Sequence, residues 1–112
     1  MSALMLLTTC PHEVATEMAR KIVHQKLAAC INILPSVQSI YRWHDAVEET
    51  KESLLIIKTV AESYAALEKE ILKLHPYETP EIVAFPISGG SGPYLQWIMS
   101  SCTSLPANEI TE

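Results

Sequence analysis

The chain has 112 residues, 48% of them apolar and 19% charged, enough for one buried core and too few for two. Its formal net charge of −5 excludes the basic surface that nucleic acid demands, and no apolar run approaches the roughly 20 residues of a membrane helix. The first nine residues lack a positive n-region and the apolar length of a signal peptide, so the expected location is cytoplasmic. There Cys10, Cys30 and Cys102 stay as thiols.

Residues 3–8 are short and apolar, a buried first strand. Thr9-Cys10-Pro11 then suits a helix start. Val14, Met18, Ile22 and Leu27 form a stripe of helical period that predicts a helix ending near Ala29. Residues 30–34 begin a second strand, interrupted at Pro35-Ser36 by a bulge, bend or edge, and resumed over residues 37–44. Polar residues 45–51 place a hairpin tip among Asp45 to Thr50, and residues 52–59 return as a third strand. This hairpin is longer than so small a domain covers, so its outer end needs a partner. Thr59 to Glu62 fits a capping box unless the strand claims Thr59. Tyr64, Leu67, Ile71 and Leu74 then mark a second amphipathic helix, stopped near His75 by Pro76. Residues 81–87 form the fourth strand. Ser88 to Gly92 is a turn or an anion nest, and Pro93 opens a short last helix. Residues 104–112 form a polar C-terminal tail.

The order β-α-β-β-α-β with a helical appendix predicts one α+β domain over residues 1–112, of ferredoxin-like split βαβ type. Two helices on one face of an antiparallel sheet leave the other face bare, which predicts self-association.

The segment His75 to Glu81, H-P-Y-E-T-P-E, sets an imidazole, two carboxylates and a phenol between two prolines. It is either a stiff helix-to-strand joint or a site. Cys10, at the head of the first helix, is either a thiolate favoured by the helix dipole or a buried thiol. Cys30 is either a small buried hydrophobe or a ligand. His12 and His24 suit solvated helix positions, and His44 lies beside Asp45, Glu48 and Glu49 at the hairpin tip. The rings of Tyr41, Trp43, Tyr77, Tyr94 and Trp97 pack between subunits or line an intersubunit cleft with Lys58, Glu78 and Glu81 as polar fixtures. No C-x-x-C pair, dinucleotide fingerprint, P-loop, H-E-x-x-H or G-x-S-x-G is present, which argues against an enzyme and against an organic cofactor.

Several segments together resemble the CutA family of divalent-cation tolerance proteins: K-L-A-A-C-I-N-I-L-P (26–35), S-I-Y-R-W (39–43), L-L-I-I-K-T (54–59), H-P-Y-E-T-P-E-I-V (75–83) and Y-L-Q-W-I (94–98). The match runs in order over residues 4–99. The resemblance implies a ferredoxin-like subunit in a homotrimer whose long hairpins extend a neighbour's sheet. It also implies a role in tolerance of divalent metals such as copper, with Cys30 and His75 at the positions of the family's cysteine and histidine. In some bacterial members another cysteine opens a C-T-x-P pattern; here Thr8 holds that place and Cys10 lies two positions on. Where some members have a second histidine, this chain has Leu74.

The expected function is therefore non-enzymatic: weak binding of Cu(II) or another divalent cation by Cys30, His75 and Cys10 in a homotrimer that responds to metal ions. The alternative is a trimeric signalling or scaffold protein that binds a small metabolite or a partner protein in intersubunit clefts. Neither nucleic acid nor membrane is an expected partner.

Overall fold

Strand β1 (Ala3–Cys10) runs through a four-stranded antiparallel sheet of order β2-β3-β1-β4, in a computed structural model that describes residues 2–102. The other strands are β2 (Cys30–Trp43), β3 (Ala46–Val60) and β4 (Val83–Pro86); the helices are α1 (His12–His24), α2 (Tyr64–Leu74) and α3 (Gly92–Ser101). A single 3₁₀ turn (Ala61–Ser63) leads into α2. The expected element order and α+β architecture are those observed. The proposed tail at 104–112 lies outside the described residues.

Alternation of side chains along the strands sorts the sheet into two faces. Leu6 pairs with Ile57 and Thr8 with Leu55, and β2 brings Ile31 and Ile33 opposite the same two β3 residues. These positions pack beneath Ala15, Met18 and Ile22 of α1 and Ala66, Leu67 and Ile71 of α2, forming the main core. Each fully buried Leu or Ile there contributes about 1.5–3 kcal/mol. The intervening residues pair as Met5–Lys58, Leu7–Ile56, Asn32–Ile56 and Leu34–Leu54, with Phe85 and Val83 beside Met5 and Leu7. Among the described residues no helix covers most of this second face, and Leu34, Val83 and Phe85 are over 40% exposed. Its Ala3–Val60 end is covered by Ile98 of α3.

Four boundaries differ from the sequence expectation, each for a local reason. Helix α1 stops at His24 rather than Ala29. Lys26 takes the left-handed conformation, with φ of 62°, while its N–H donates to Val23 O and that of Leu27 donates to Ile22 O. This is a Schellman closure with a lysine where glycine is usual, held by Leu27 packing in the core with Ile22. The hairpin tip is narrower than Asp45 to Thr50: Trp43 pairs with Ala46, and His44-Asp45 alone make the turn, both at positive φ. Type I′ hairpin turns need that geometry, and Asp and His tolerate it better than most residues. The capping box does not form, because β3 keeps Thr59, which is buried and donates its hydroxyl to Leu27 O at 2.7 Å. Strand β4 is shorter than residues 81–87, and as an edge strand it accommodates Pro86. The bulge at Pro35-Ser36 is where it was expected: register shifts by one residue between Leu34–Leu54 and Val37–Glu52. The Ser88–Gly92 turn contains no glycine at positive φ; Ser91 caps α3 by accepting from Tyr94 N–H.

Thr8 is fully buried, and its hydroxyl has no hydrogen-bond partner among the described residues. An unsatisfied buried hydroxyl carries its desolvation cost with no return. Thr8→Val is expected to raise stability by about 1 kcal/mol, read as a higher urea midpoint at unchanged slope. A lower midpoint would show that the hydroxyl is paired.

Candidate functional site

The H-P-Y-E-T-P-E segment is anchored before it is functional. Helix α2 ends at Leu74, and His75 turns extended (φ −83°, ψ 134°) as the residue before a proline should. The His75 ring is buried. Its Nε2 lies 2.7 Å from the Thr9 carbonyl oxygen, and its Nδ1 lies 3.1 Å from the Tyr77 backbone nitrogen. A carbonyl can only accept and an amide N–H can only donate, so the ring is the Nε2–H tautomer and both nitrogens are occupied. The ring also packs against that of Tyr77, with centroids 4.7 Å apart.

Anchored this way, Tyr77 reaches the start of the β1–β3 pairing. Its hydroxyl donates to Glu52 Oε1 at 2.8 Å, and Glu52 is only 5% exposed. Burial and the Glu52 carboxylate together hold the Tyr77 phenol proton well above the usual phenol range. Opposite stand Tyr41 and Trp43 from the outer half of β2. These residues, with Glu78 and Glu81, line an open cleft of about 590 Å³ whose floor includes Thr9 and Ser39. That volume lies in the usual range for small-ligand sites, roughly 300–1,000 Å³.

Of the cleft residues expected from sequence, Tyr77, Glu78 and Glu81 do meet here. Lys58 and Trp97 do not. Lys58 pairs with Met5 and Cys30 on the bare sheet face, where its ammonium donates to Asn32 Oδ1. Trp97 belongs to α3, stacked on Tyr94 at 5.5 Å, at the Ala3–Val60 end. Glu52 was missed as a cleft residue because it opens an apolar strand, where a carboxylate looks like a solvated end. His12, expected to be solvated, has Nδ1 2.9 Å from Ser53 Oγ.

The three expected metal ligands are not brought together within the subunit. Cys10 stands opposite Ser53 on β3 and Cys30 opposite Lys58. Five residues of strand separate those partners, about 17 Å at roughly 3.4 Å per residue. Cys30 is half-buried on the bare face, its thiol 3.8 Å from Asn32 Oδ1. The His75 nitrogens are already bonded. Cys10 is fully buried, and burial first, then Glu52 and Glu13, pushes its thiol up to about 11. The thiolate suggested by its place before α1 is therefore not the state present; desolvation outweighs the helix dipole. No cluster of three or more His, Cys, Asp or Glu positioned for a metal occurs among the described residues.

Comparison with known proteins gives consistent matches. The family model described as CutA1 divalent ion tolerance protein matches residues 4–101. Human protein CutA is 46% identical over 91 residues, which cover 80% of this chain and 51% of the human protein. The chain thus spans about half the length of the human and mouse relatives it matches. The solved divalent cation tolerance protein of Thermus thermophilus superposes with a TM-score of 0.88 at 42% identity, covering 90% of this chain and 99% of that one. A solved protein from Nostoc sp. described as PII-like protein CutA gives a TM-score of 0.86 at 30% identity, covering 91% and 99%.

The raised Cys10 pKa sets the sign of a pH effect. The folded chain keeps a proton that the unfolded chain releases near 9, so the contribution of Cys10 is full below pH 9 and is lost as pH rises towards about 11. Cys10→Ala should flatten this alkaline decline in denaturant titrations. With iodoacetamide at pH 8, native protein should be labelled at Cys30 before Cys10; equal rates would contradict the buried-thiol assignment.

Proposed function

Because the chain belongs to the CutA1 divalent ion tolerance family, we propose that it is a cytoplasmic, homotrimeric divalent-cation tolerance protein that binds Cu(II) or a similar ion weakly. The observation that carries the assembly is the bare sheet face. Met5, Leu7, Leu34, Leu54, Ile56, Val83 and Phe85 form an apolar surface with Lys58, Asn32, Cys30 and Thr9 set into it. Continuous apolar surface of that kind favours burial against other subunits. The long β2–β3 hairpin gives a second reason, since Ile40 and Val47 on its outer half are each 63% exposed.

Weak metal binding follows from the same geometry. The described residues of one subunit offer no preassembled set of ligands, so an ion would be held by few groups or by groups from several subunits. Among the three residues expected from sequence, Cys30 is the soft ligand available without disrupting the core, and thiolate suits copper. Calorimetric titration of Cu(II) and Zn(II) into reduced protein is expected to lose heat or stoichiometry in Cys30→Ser. His75→Ala should instead lower thermal stability, by leaving Thr9 O and Tyr77 N–H unpaired. Unchanged copper binding in Cys30→Ser would remove Cys30 from the site.

The trimer has its own test. Wild type should sediment at about three chain masses at micromolar concentration, and Phe85→Glu, which sets a charge on the bare face, should shift the mass towards one. A monomeric wild type would overturn the assembly.

The cleft favours a second reading, a trimeric signalling or scaffold protein that takes a small metabolite or a partner protein beside the hairpin. A pocket with aromatic walls and a buried polar floor is a common form of small-molecule site. The description of the Nostoc relative as PII-like accords with this reading.

A further inference from the structure

Among the described residues the cleft is lined by three carboxylates, Glu52, Glu78 and Glu81, and by no lysine, arginine or histidine. Glu52 is the informative member. It is 5% exposed and lines the cleft, and its Oε1 accepts the neutral Tyr77 hydroxyl. Buried carboxylates are normally satisfied on both oxygens or paired with a cation. Here the described partner is a neutral phenol and the cleft lining holds no cationic side chain, so the charge of Glu52 is left for a donor arriving from outside to match.

The surroundings narrow the class of that donor. An inorganic divalent ion is poorly matched, because the carboxylates are not grouped closely enough to share one, and hard cations take six or more oxygen ligands. An anion would meet only negative charge. Tyr41, Trp43 and Tyr77 present aromatic surface, to which the face of a ring attracts organic cations. An organic cation satisfies both features, with its charged head on the carboxylate and its apolar stem against the rings.

We propose that this cleft binds a small organic cation bearing N–H groups, a primary ammonium or a guanidinium. The head donates to Glu52 Oε2, Tyr41 and Trp43 flank the stem, and Glu78 and Glu81 attract the ligand at the rim. Tyr77 acts as a positioning residue, since its hydroxyl holds Glu52 by the other oxygen. The proposal rests on the small-molecule reading of the cleft and supplies the ligand class for it. It is independent of metal binding through Cys30.

The test is calorimetric titration of the assembled wild-type protein with five probes. Putrescine carries primary ammonium groups and methylguanidine carries guanidinium. Tetramethylammonium carries charge without N–H groups, n-butanol is neutral and benzoate is anionic. Binding of putrescine or methylguanidine is expected, at least about tenfold tighter than tetramethylammonium, because a charge-assisted hydrogen bond is lost in the latter. Whichever of the two binds identifies the head group. Glu52→Gln should weaken that binding at least about tenfold. Trp43→Leu, on the outer hairpin, should weaken it in a protein whose sedimentation mass matches that of wild type. Failure of both N–H cations to bind, or equal binding by Glu52→Gln, would overturn the proposal. Binding of butanol or benzoate in their place would overturn the cation class and leave the small-molecule reading standing.

Discussion

The ring of His75 joins two backbone groups that would otherwise lack partners at this point of the fold. Thr9 sits where β1 is about to end, and Tyr77 lies in a proline-bounded segment with no ladder of its own. One imidazole donates to the first and accepts from the second, so its orientation and tautomer are both determined. Everything on the cleft side follows from that link. The position of Tyr77 sets that of its hydroxyl, which sets the Glu52 carboxylate in the cleft lining. The segment that reads as either a stiff joint or a site is therefore first a joint, and one that positions the cleft.

Copper chemistry and cleft chemistry occupy separate parts of the subunit. Cys30, Asn32 and Lys58 lie together on the bare face, close to where association would bury them. Glu52, Tyr77 and the hairpin aromatics lie near the other end of β1. The two regions share β3, whose alternation gives Leu55 and Ile57 to the core and Leu54 and Ile56 to the bare face. A change on one face can thus be made with the core-facing residues untouched.

Much of the fold was legible because periodicity reports burial. The stripe Tyr64, Leu67, Ile71, Leu74 gave α2 its limits, and Pro76 its end. The bare face was legible too, from a surplus of apolar positions in the strands. Where the reading failed, the deciding contact was distant or conformational. Nothing local in K-L-A-A-C says that Lys26 will adopt positive φ, since that follows from Leu27 packing with Ile22 in the core. A run of polar residues after His44 suggested a loose tip, yet cross-strand pairing continues to Trp43–Ala46. In the site, Tyr77, Glu78 and Glu81 were found through their unusual segment. Glu52 was not, because its partner lies 25 residues away in sequence. Lys58 and Trp97 were assigned to the cleft by residue type alone, and the register puts them elsewhere.

The one-residue bulge at Pro35-Ser36 makes β2 a strand of two phases. Before it, odd-numbered Ile31 and Ile33 share a face with Ile57 and Leu55, on the helix side. Beyond it, odd-numbered Val37, Ser39 and Tyr41 stand opposite Glu52, Thr50 and Glu48, the alternate set of β3 positions. Odd numbering has crossed the sheet. Because Pro35 and Ser36 together face Ser53 alone, removing one of them would leave Val37 opposite Glu52 and Tyr41 opposite Glu48, with every side chain on its present face. What the deletion would remove is the bend and extra twist that a bulge adds to its strand. The angle at which the outer hairpin leaves the subunit, and with it the width of the opening between Tyr41 and Tyr77, is thus set by one residue that touches neither ring.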